Sequence, residues 1–169
     1  MRISEQRGAV SFRELYEEYL PMVYRVAFTY MKNRYDSEDA AHETFLRLMK
    51  CDKPFKDQEH VKAWLIVTAT NVCRDMLRRK HRDDMSLDDR DFALDDVSAE
   101  KQELLQAVMA LPESYKTVVY MYYYEGYSVT EIAKALDKPA GTVKTWLSRS
   151  RKQLKEFMGG EVHDGYQVC

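Results

Sequence analysis

The sequence has few of the residues that interrupt helices. Four prolines and six glycines in 169 residues leave long stretches able to be helical. No run approaches the roughly 18 apolar residues of a membrane span. The opening MRISEQRGAV lacks the apolar core of a signal peptide. The protein is therefore expected in the cytoplasm, with no membrane insertion. Cys51, Cys73 and Cys169 form no CxxC pair, and an odd number suits a reducing compartment. There is no glycine-rich phosphate loop and no metal-ligand spacing such as HExxH, and Asp and Glu are scattered. His42, His60, His81 and His163 read as surface residues. These absences argue against an enzyme, and no cofactor or metal is expected.

What is present is ordinary in bulk and unusual in arrangement. Apolar residues make up 45% of the chain and charged residues 32%, with a net charge of −2. The chain is long enough for one medium domain or two small ones. That balance hides two basic clusters. Arg74, Arg78, Arg79, Lys80 and Arg82 stand between positions 71 and 82 against Asp75 alone. Lys144, Arg149, Arg151, Lys152 and Lys155 stand between positions 144 and 155 with no acid. Between the clusters, residues 83–98 hold Asp83, Asp84, Asp88, Asp89, Asp91, Asp95 and Asp96 against Arg90. Charge distribution, more than its sum, marks a nucleic-acid binder.

Everything outside the acidic stretch reads as helix. Ser11 with Glu14 is a capping box, followed by a stripe of Phe12, Leu15, Tyr16 and Tyr19. Pro21 is expected to kink or restart that helix. Asn33 to Asp36 reads as a turn, with Asp36 or Ser37 as the next N-cap. Ala40, Ala41, Phe45, Leu46, Leu48 and Met49 make a second apolar helix, whose first turn carries Glu38 and Asp39. Cys51 to Gln58 reads as a loop, and a third helix runs from about Glu59 to Lys80. Few apolar residues and high charge make 83–98 a flexible linker. Its sixteen residues could reach on the order of 50 Å when extended, more than one turn of DNA at roughly 34 Å. Beyond it, Leu104, Leu105, Val108 and Leu111 form a core stripe in the helix from Ala99. Pro112 starts the next helix, to about Tyr124, and Glu125-Gly126 is a turn. The fold class is all-α, as two small helical domains at 11–82 and 99–158 joined by the linker.

Residues 128–155 carry the most specific local pattern. Ser128 and Glu131 form another capping box. Val129, Ile132, Ala133 and Leu136 recur at i, i+3, i+4 and i+7, one face of a short helix. Asp137-Lys138 is a turn, and Pro139 suits the first position of a second helix. That helix puts Val143, Trp146, Leu147, Ser150 and Leu154 on one face. Gly141, Lys144, Thr145, Ser148, Arg149 and Lys152 project on the other. A helix-turn-helix with an acid-free outer face, mixing hydroxyls with long cations, suits insertion into a DNA major groove.

These residues resemble the DNA-reading region 4 of extracytoplasmic-function (ECF) sigma factors. The resemblance rests on Leu111-Pro112-Glu113, Tyr127-Ser128, Glu131-Ile132-Ala133, Gly141-Thr142-Val143-Lys144 and Leu147-Ser148-Arg149 with Arg151. The N-terminal half resembles region 2 of the same family through Tyr24-Arg25, Glu38-Asp39, Glu43, Phe45, Ala63-Trp64-Leu65, Asn71, Asp75 and Leu77-Arg78-Arg79. The resemblance implies promoter-specific transcription initiation with core RNA polymerase. Its partners would be the coiled coil of the polymerase largest subunit, the flap region of the second-largest subunit, promoter DNA and an anti-sigma factor. It assigns polymerase binding to Asp39, His42, Glu43, Phe45 and Arg47. It assigns opening of the minus-ten element to Phe55, Lys56, His60, Asn71, Arg74, Arg78, Arg79 and Lys80. Reading of the minus-thirty-five element falls to Gly141, Thr142, Lys144, Thr145, Ser148, Arg149 and Lys152. The acidic linker would thread the polymerase interior.

Two positions depart from the family. His42 stands where glutamine is usual, and Trp146 where arginine is common, which trades a phosphate contact for packing. Trp64, among Val61, Leu65 and Ile66, is expected in the core. Tyrosines 120, 122, 123, 124 and 127 are dense enough that some must face outward. A stand-alone helix-turn-helix regulator would account for 128–155, but would leave the first basic cluster and the linker without a role.

Overall fold

The computed structural model describes residues 11–82 and 99–159, with side chains from 102 onward in the second stretch. The expected linker at 83–98, His163 and Cys169 lie outside the described residues. Every regular element described is a helix. Two compact units divide the chain, with α1 to α3 in the first and α4 to α7 in the second.

In the first unit, α1 spans Phe12–Met31, α2 Arg34–Met49 and α3 Gln58–Arg82. The Ser11 capping box forms in full, with the Ser11 hydroxyl accepting from the Glu14 amide and the Glu14 carboxylate accepting from the Ser11 amide at 2.7 Å. Pro21 does not restart the helix, since α1 runs through it. Its ring lies on the exposed side, where water can satisfy the carbonyl that loses its donor. The N-cap of α2 is Asn33, not Asp36 or Ser37: its side chain accepts from the Asp36 amide at 2.9 Å. Asparagine caps as well as aspartate, and Asp36 is thereby placed at the third helical position, with other contacts to make.

The three helices pack on one another. Val23 and Ala27 of α1, Ala40, Ala41, Phe45 and Leu48 of α2, and Leu65, Ile66 and Ala69 of α3 are buried. The small Ala40 and Ala41 allow α2 to lie close. Each large apolar side chain so buried contributes about 1.5–3 kcal/mol.

In the second unit, α4 spans Ala99–Ala110 and α5 Glu113–Val119, continued by a π-helical segment Tyr120–Tyr124. Helix α6 spans Val129–Leu136 and α7 Ala140–Phe157. The expected α4 stripe is only partly inward. Leu104 is 38% exposed and Ala107 and Met109 are buried with Leu111, so the buried arc sits at the C-terminal turn, where α4 meets α7. The π-helical winding is set by a Glu125 amide to Tyr120 carbonyl bond at 3.2 Å. Hydrophobic period over five tyrosine-rich residues cannot separate this winding from an α-helix. Gly126 follows at φ +73°, a conformation that favours glycine. Ser128 and Glu131 close the second capping box. Asp137 turns the chain at φ 51°. Pro139 sits at the N-cap, one position before the one expected, with ψ 141° still extended. Ile132 of α6 and Val143, Leu147 and Ser150 of α7 are buried against each other's helices and α5.

Candidate nucleic-acid and polymerase interfaces

The outer face of α2 is a stripe. Asp39, His42, Leu46 and Met49 follow at steps of three and four residues and all are exposed, as one helix face requires. Glu43 and Arg47 flank it, half-buried and paired at 3.1 Å. Phe45 departs from its sequence assignment to polymerase binding. It is 2% exposed and packs edge-on against Tyr16 at 4.8 Å and Phe12 at 6.3 Å. It lies four residues after Ala41 and three before Leu48, on the inward arc of α2. Leu46 and Met49, two of the apolar residues of this helix, are 46% and 39% exposed and add an apolar component to the stripe. Their spacing from Asp39 and His42 was the available signal. A shallow depression of about 540 Å³ beside this stripe is lined by Leu20, Pro21, Tyr24, Arg34, Glu38 and His42, among others.

The α3 face gathers four of the eight residues expected at the minus-ten element, His60, Asn71, Arg74 and Arg78. His60, Trp64, Val67, Asn71, Arg74 and Arg78 fall along one line at about 100° per residue. None of the six is fully buried. The line is about 27 Å long at 1.5 Å per residue. The loop before α3 closes over its start. Phe55 meets His60 and Trp64 edge-on, with centroids at 5.4 and 5.7 Å. His60 Nδ1 accepts from the Lys56 amide at 3.2 Å, and the His60 amide donates to Asp57 at 2.8 Å. Trp64 is half-buried, not core, so an aromatic edge is available beside Phe55. Such a surface can stack an unpaired base.

The cations of α3 are held differently from one another. Arg78 is bonded to Asp75, which also lies 3.6 Å from Arg47 of α2. The Arg78 hydrogen bond, with the charges of Arg78 and Arg47, outweighs burial and holds the Asp75 carboxyl below its ordinary pKa. Lys80 is half-buried and bonded to Asp36 at the start of α2. Burial pushes the Asp36 carboxyl up, but hydrogen bonds from Lys80 and Asn33 and the lysine's charge prevail and hold it down. Lys80 therefore ties α3 to α2. Arg79 is exposed.

On α7, Gly141, Lys144, Thr145, Ser148, Arg149 and Lys152 are exposed and Thr142 is half-buried. The Thr145 hydroxyl donates to the Gly141 carbonyl at 2.9 Å, and its oxygen remains able to accept. Lys152 lies 3.9 Å from Glu156. Trp146 and Leu154 are half-buried at the edge of the packed face. Arg151 was left out of the sequence assignment, although it belongs to the basic cluster. It is exposed and donates to the Tyr123 hydroxyl at 3.2 Å. Among the described residues no group of three or more His, Cys, Asp or Glu is placed to hold a metal, and no helix is long and apolar enough to cross a membrane.

The sigma-70 region 2 family matches residues 15–83, and the sigma-70 region 4 family matches residues 101–154. The ECF RNA polymerase sigma factor SigE of Mycolicibacterium smegmatis is 29% identical over 167 residues, covering 91% of this chain and 64% of that protein. The ECF RNA polymerase sigma factor SigW of Bacillus subtilis is 28% identical over 165 residues, covering 86% of this chain and 88% of that protein. The chain thus spans under two thirds of the SigE sequence and most of SigW. Among solved structures, the sigma factor RpoE of Bartonella quintana, crystallised with the anti-sigma factor NepR, shares the fold. Its TM-score is 0.72 at 20% identity, over 89% of this chain and 98% of that one. Two family matches in this order, with relatives that align across both units, establish that the chain belongs to the ECF RNA polymerase sigma factors.

Proposed function

We infer that this chain binds core RNA polymerase and directs initiation at a specific class of promoters, without catalysing a reaction itself. The observation that carries this reading is that one chain bears two separate DNA-suited helix faces, on α3 and α7. A third surface on α2 mixes carboxylates with apolar side chains. The α2 stripe of Asp39, His42, Leu46 and Met49, with Glu43 and Arg47 beside it, suits a basic, partly apolar partner such as the coiled coil of the polymerase largest subunit. The α3 line, with Phe55 closing its start, receives the minus-ten strand. An unstacked base costs a few kcal/mol to expose, and Phe55, Trp64 and Asn71 offer stacking and hydrogen bonding in return. The α7 face reads the minus-thirty-five element through Lys144, Thr145, Ser148 and Arg149, with Gly141 and Thr142 at the helix N-terminus near the phosphates. Contact with the polymerase flap, control by an anti-sigma protein and residence in the cytoplasm complete the reading.

A stand-alone regulator would use α6 and α7 and leave the faces of α2 and α3 without partners. Transcription in vitro separates the two. The full chain should co-elute with core polymerase and yield transcripts from a matching promoter. Failure to bind core enzyme, together with sequence-specific binding of DNA by the chain alone, would overturn the inference.

A further inference from the structure

The contact between Tyr123 and Arg151 joins two parts of the second unit far apart in sequence. At about 100° per residue, Lys144, Ser148, Arg151 and Lys155 fall within an arc of about 60° on α7. Arg151 thus lies in line with two residues already placed at the DNA. It is also the member of that line nearest the packed face of Val143, Leu147 and Leu154, at the boundary where α7 meets its neighbours. Tyr123 reaches it there. The Arg151 Nη1 donates to the Tyr123 hydroxyl at 3.2 Å. Tyr123 is half-buried and braced by the ring of Tyr122, edge-on at 4.9 Å. Both tyrosines belong to the π-helical segment, whose wider winding sets where their rings point.

The partner is what makes this contact informative. Among the described residues no carboxylate pairs with Arg151, whereas Arg13, Arg34, Arg47 and Arg78 each meet one. A neutral hydroxyl fixes a guanidinium without cancelling its charge. It occupies one of five donors and leaves the rest of the planar fork available. A carboxylate in the same place would hold the side chain and also repel a phosphate.

We propose that Tyr123 is a positioning residue for promoter binding: its hydroxyl pre-orients Arg151 toward a DNA backbone phosphate beside the upstream element. The proposal rests on the reading of α7 as the upstream-element helix. Restricting a long cationic side chain before binding removes part of the ordering cost of association. The contact adds affinity and no base preference, since phosphates carry no sequence.

A double-mutant cycle on the full chain, assembled with core polymerase and bound to promoter duplex, tests this. Arg151→Ala should weaken binding and reduce the slope of log affinity against log salt by about one. Tyr123→Phe should weaken binding roughly three- to tenfold, the worth of one hydrogen bond, with thermal stability and sequence preference unchanged. In the Arg151→Ala background, Tyr123→Phe should have no further effect. Additive effects, or no effect of Tyr123→Phe on the otherwise intact chain, would overturn the positioning role while leaving the upstream-element reading in place. A wild-type holoenzyme that holds no promoter DNA would overturn both. Nuclear magnetic resonance of the uncomplexed chain supplies a second arm that needs no DNA. The Arg151 guanidinium should rotate measurably faster in Tyr123→Phe, and an unchanged rate would also contradict the proposal.

Discussion

Arg78 and Lys80, at the end of α3, are held by Asp75 and Asp36 of their own unit. Lys144 and Arg149, on α7, have no carboxylate partner among the described residues, and Arg151 is held by a hydroxyl. The two units thus present cations in different states. Apart from Lys152, which lies 3.9 Å from Glu156, the α7 face offers charge that is already available to phosphates. The α3 face uses Lys80 to join α3 to α2, and Asp75 offsets part of the charge that Arg78 can offer DNA. That difference matches the two tasks proposed. Docking on closed duplex DNA is chiefly an electrostatic and groove-fitting event. Capturing an unpaired base depends more on aromatic surface, which Phe55 and Trp64 supply. The Arg47–Asp75–Arg78 cluster also places the flank of the α2 stripe in contact with the α3 face.

The largest expected effect lies in the cores. Ile66 is fully buried in the first unit, and Ile66→Ala should cost that unit about 2–5 kcal/mol. The chain's two tryptophans, Trp64 and Trp146, report separately on the two units. Denaturant unfolding followed by fluorescence in Trp146→Phe and Trp64→Phe backgrounds should show the shift through Trp64 alone. A matching shift through Trp146 would mean that the units share stability. Next in size, Asp39→Arg should weaken core-polymerase binding about tenfold or more, by placing like charges together. Upstream-element recognition should survive, as measured by co-elution and by footprinting at saturating polymerase. On α7, Arg149→Ala should remove about 1–3 kcal/mol of discrimination at one base pair, read by competition between promoter variants. Retained preference would take Arg149 out of the reading set.

The smallest effect concerns the tie between α2 and α3. Lys80→Ala should cost on the order of 1 kcal/mol at neutral pH, between the values for exposed and buried pairs. Its pH dependence has a definite sign. The folded-state pKa of Asp36 is depressed, so its contribution is present above the ordinary carboxylate range and fades as pH falls through the folded-state value. Wild type and variant should therefore differ most near pH 7 and converge as Asp36 protonates. A gap that grows on acidification would assign the role of Lys80 to something other than Asp36.

Much of this architecture was legible because it is written in local rules. Ser11–Glu14 and Ser128–Glu131 marked helix starts through reciprocal hydrogen bonds that depend only on neighbours. The inward face of α7 followed from a period of 3.6, and its acid-free outer face from composition. The readings that failed depended on which side of a helix meets its neighbour. Phe45, Leu46, Leu48 and Met49 are all apolar, and only packing of α2 against α1 and α3 decides that Phe45 and Leu48 go in while Leu46 and Met49 stay out. Trp64 looked like core because its neighbours are, but the α3 face on which it sits is partly open. The tie of Lys80 to Asp36 could not be read from sequence, because the two are 44 residues apart. The π-helical segment left no trace in the hydrophobic period, and the contact between Tyr123 and Arg151, 28 residues apart, could not be read before the fold was known.

Capture of opened promoter DNA by the α3 face, with α7 holding the upstream element, predicts a distinct pattern in permanganate footprinting of the reconstituted holoenzyme at a matching promoter, comparing wild type with Asn71→Ala. Wild type should expose reactive thymines at the downstream element. Asn71→Ala should lose much of that reactivity while protection of the upstream element persists. Full thymine reactivity in Asn71→Ala, or loss of upstream protection with it, would contradict the division of labour between the two units.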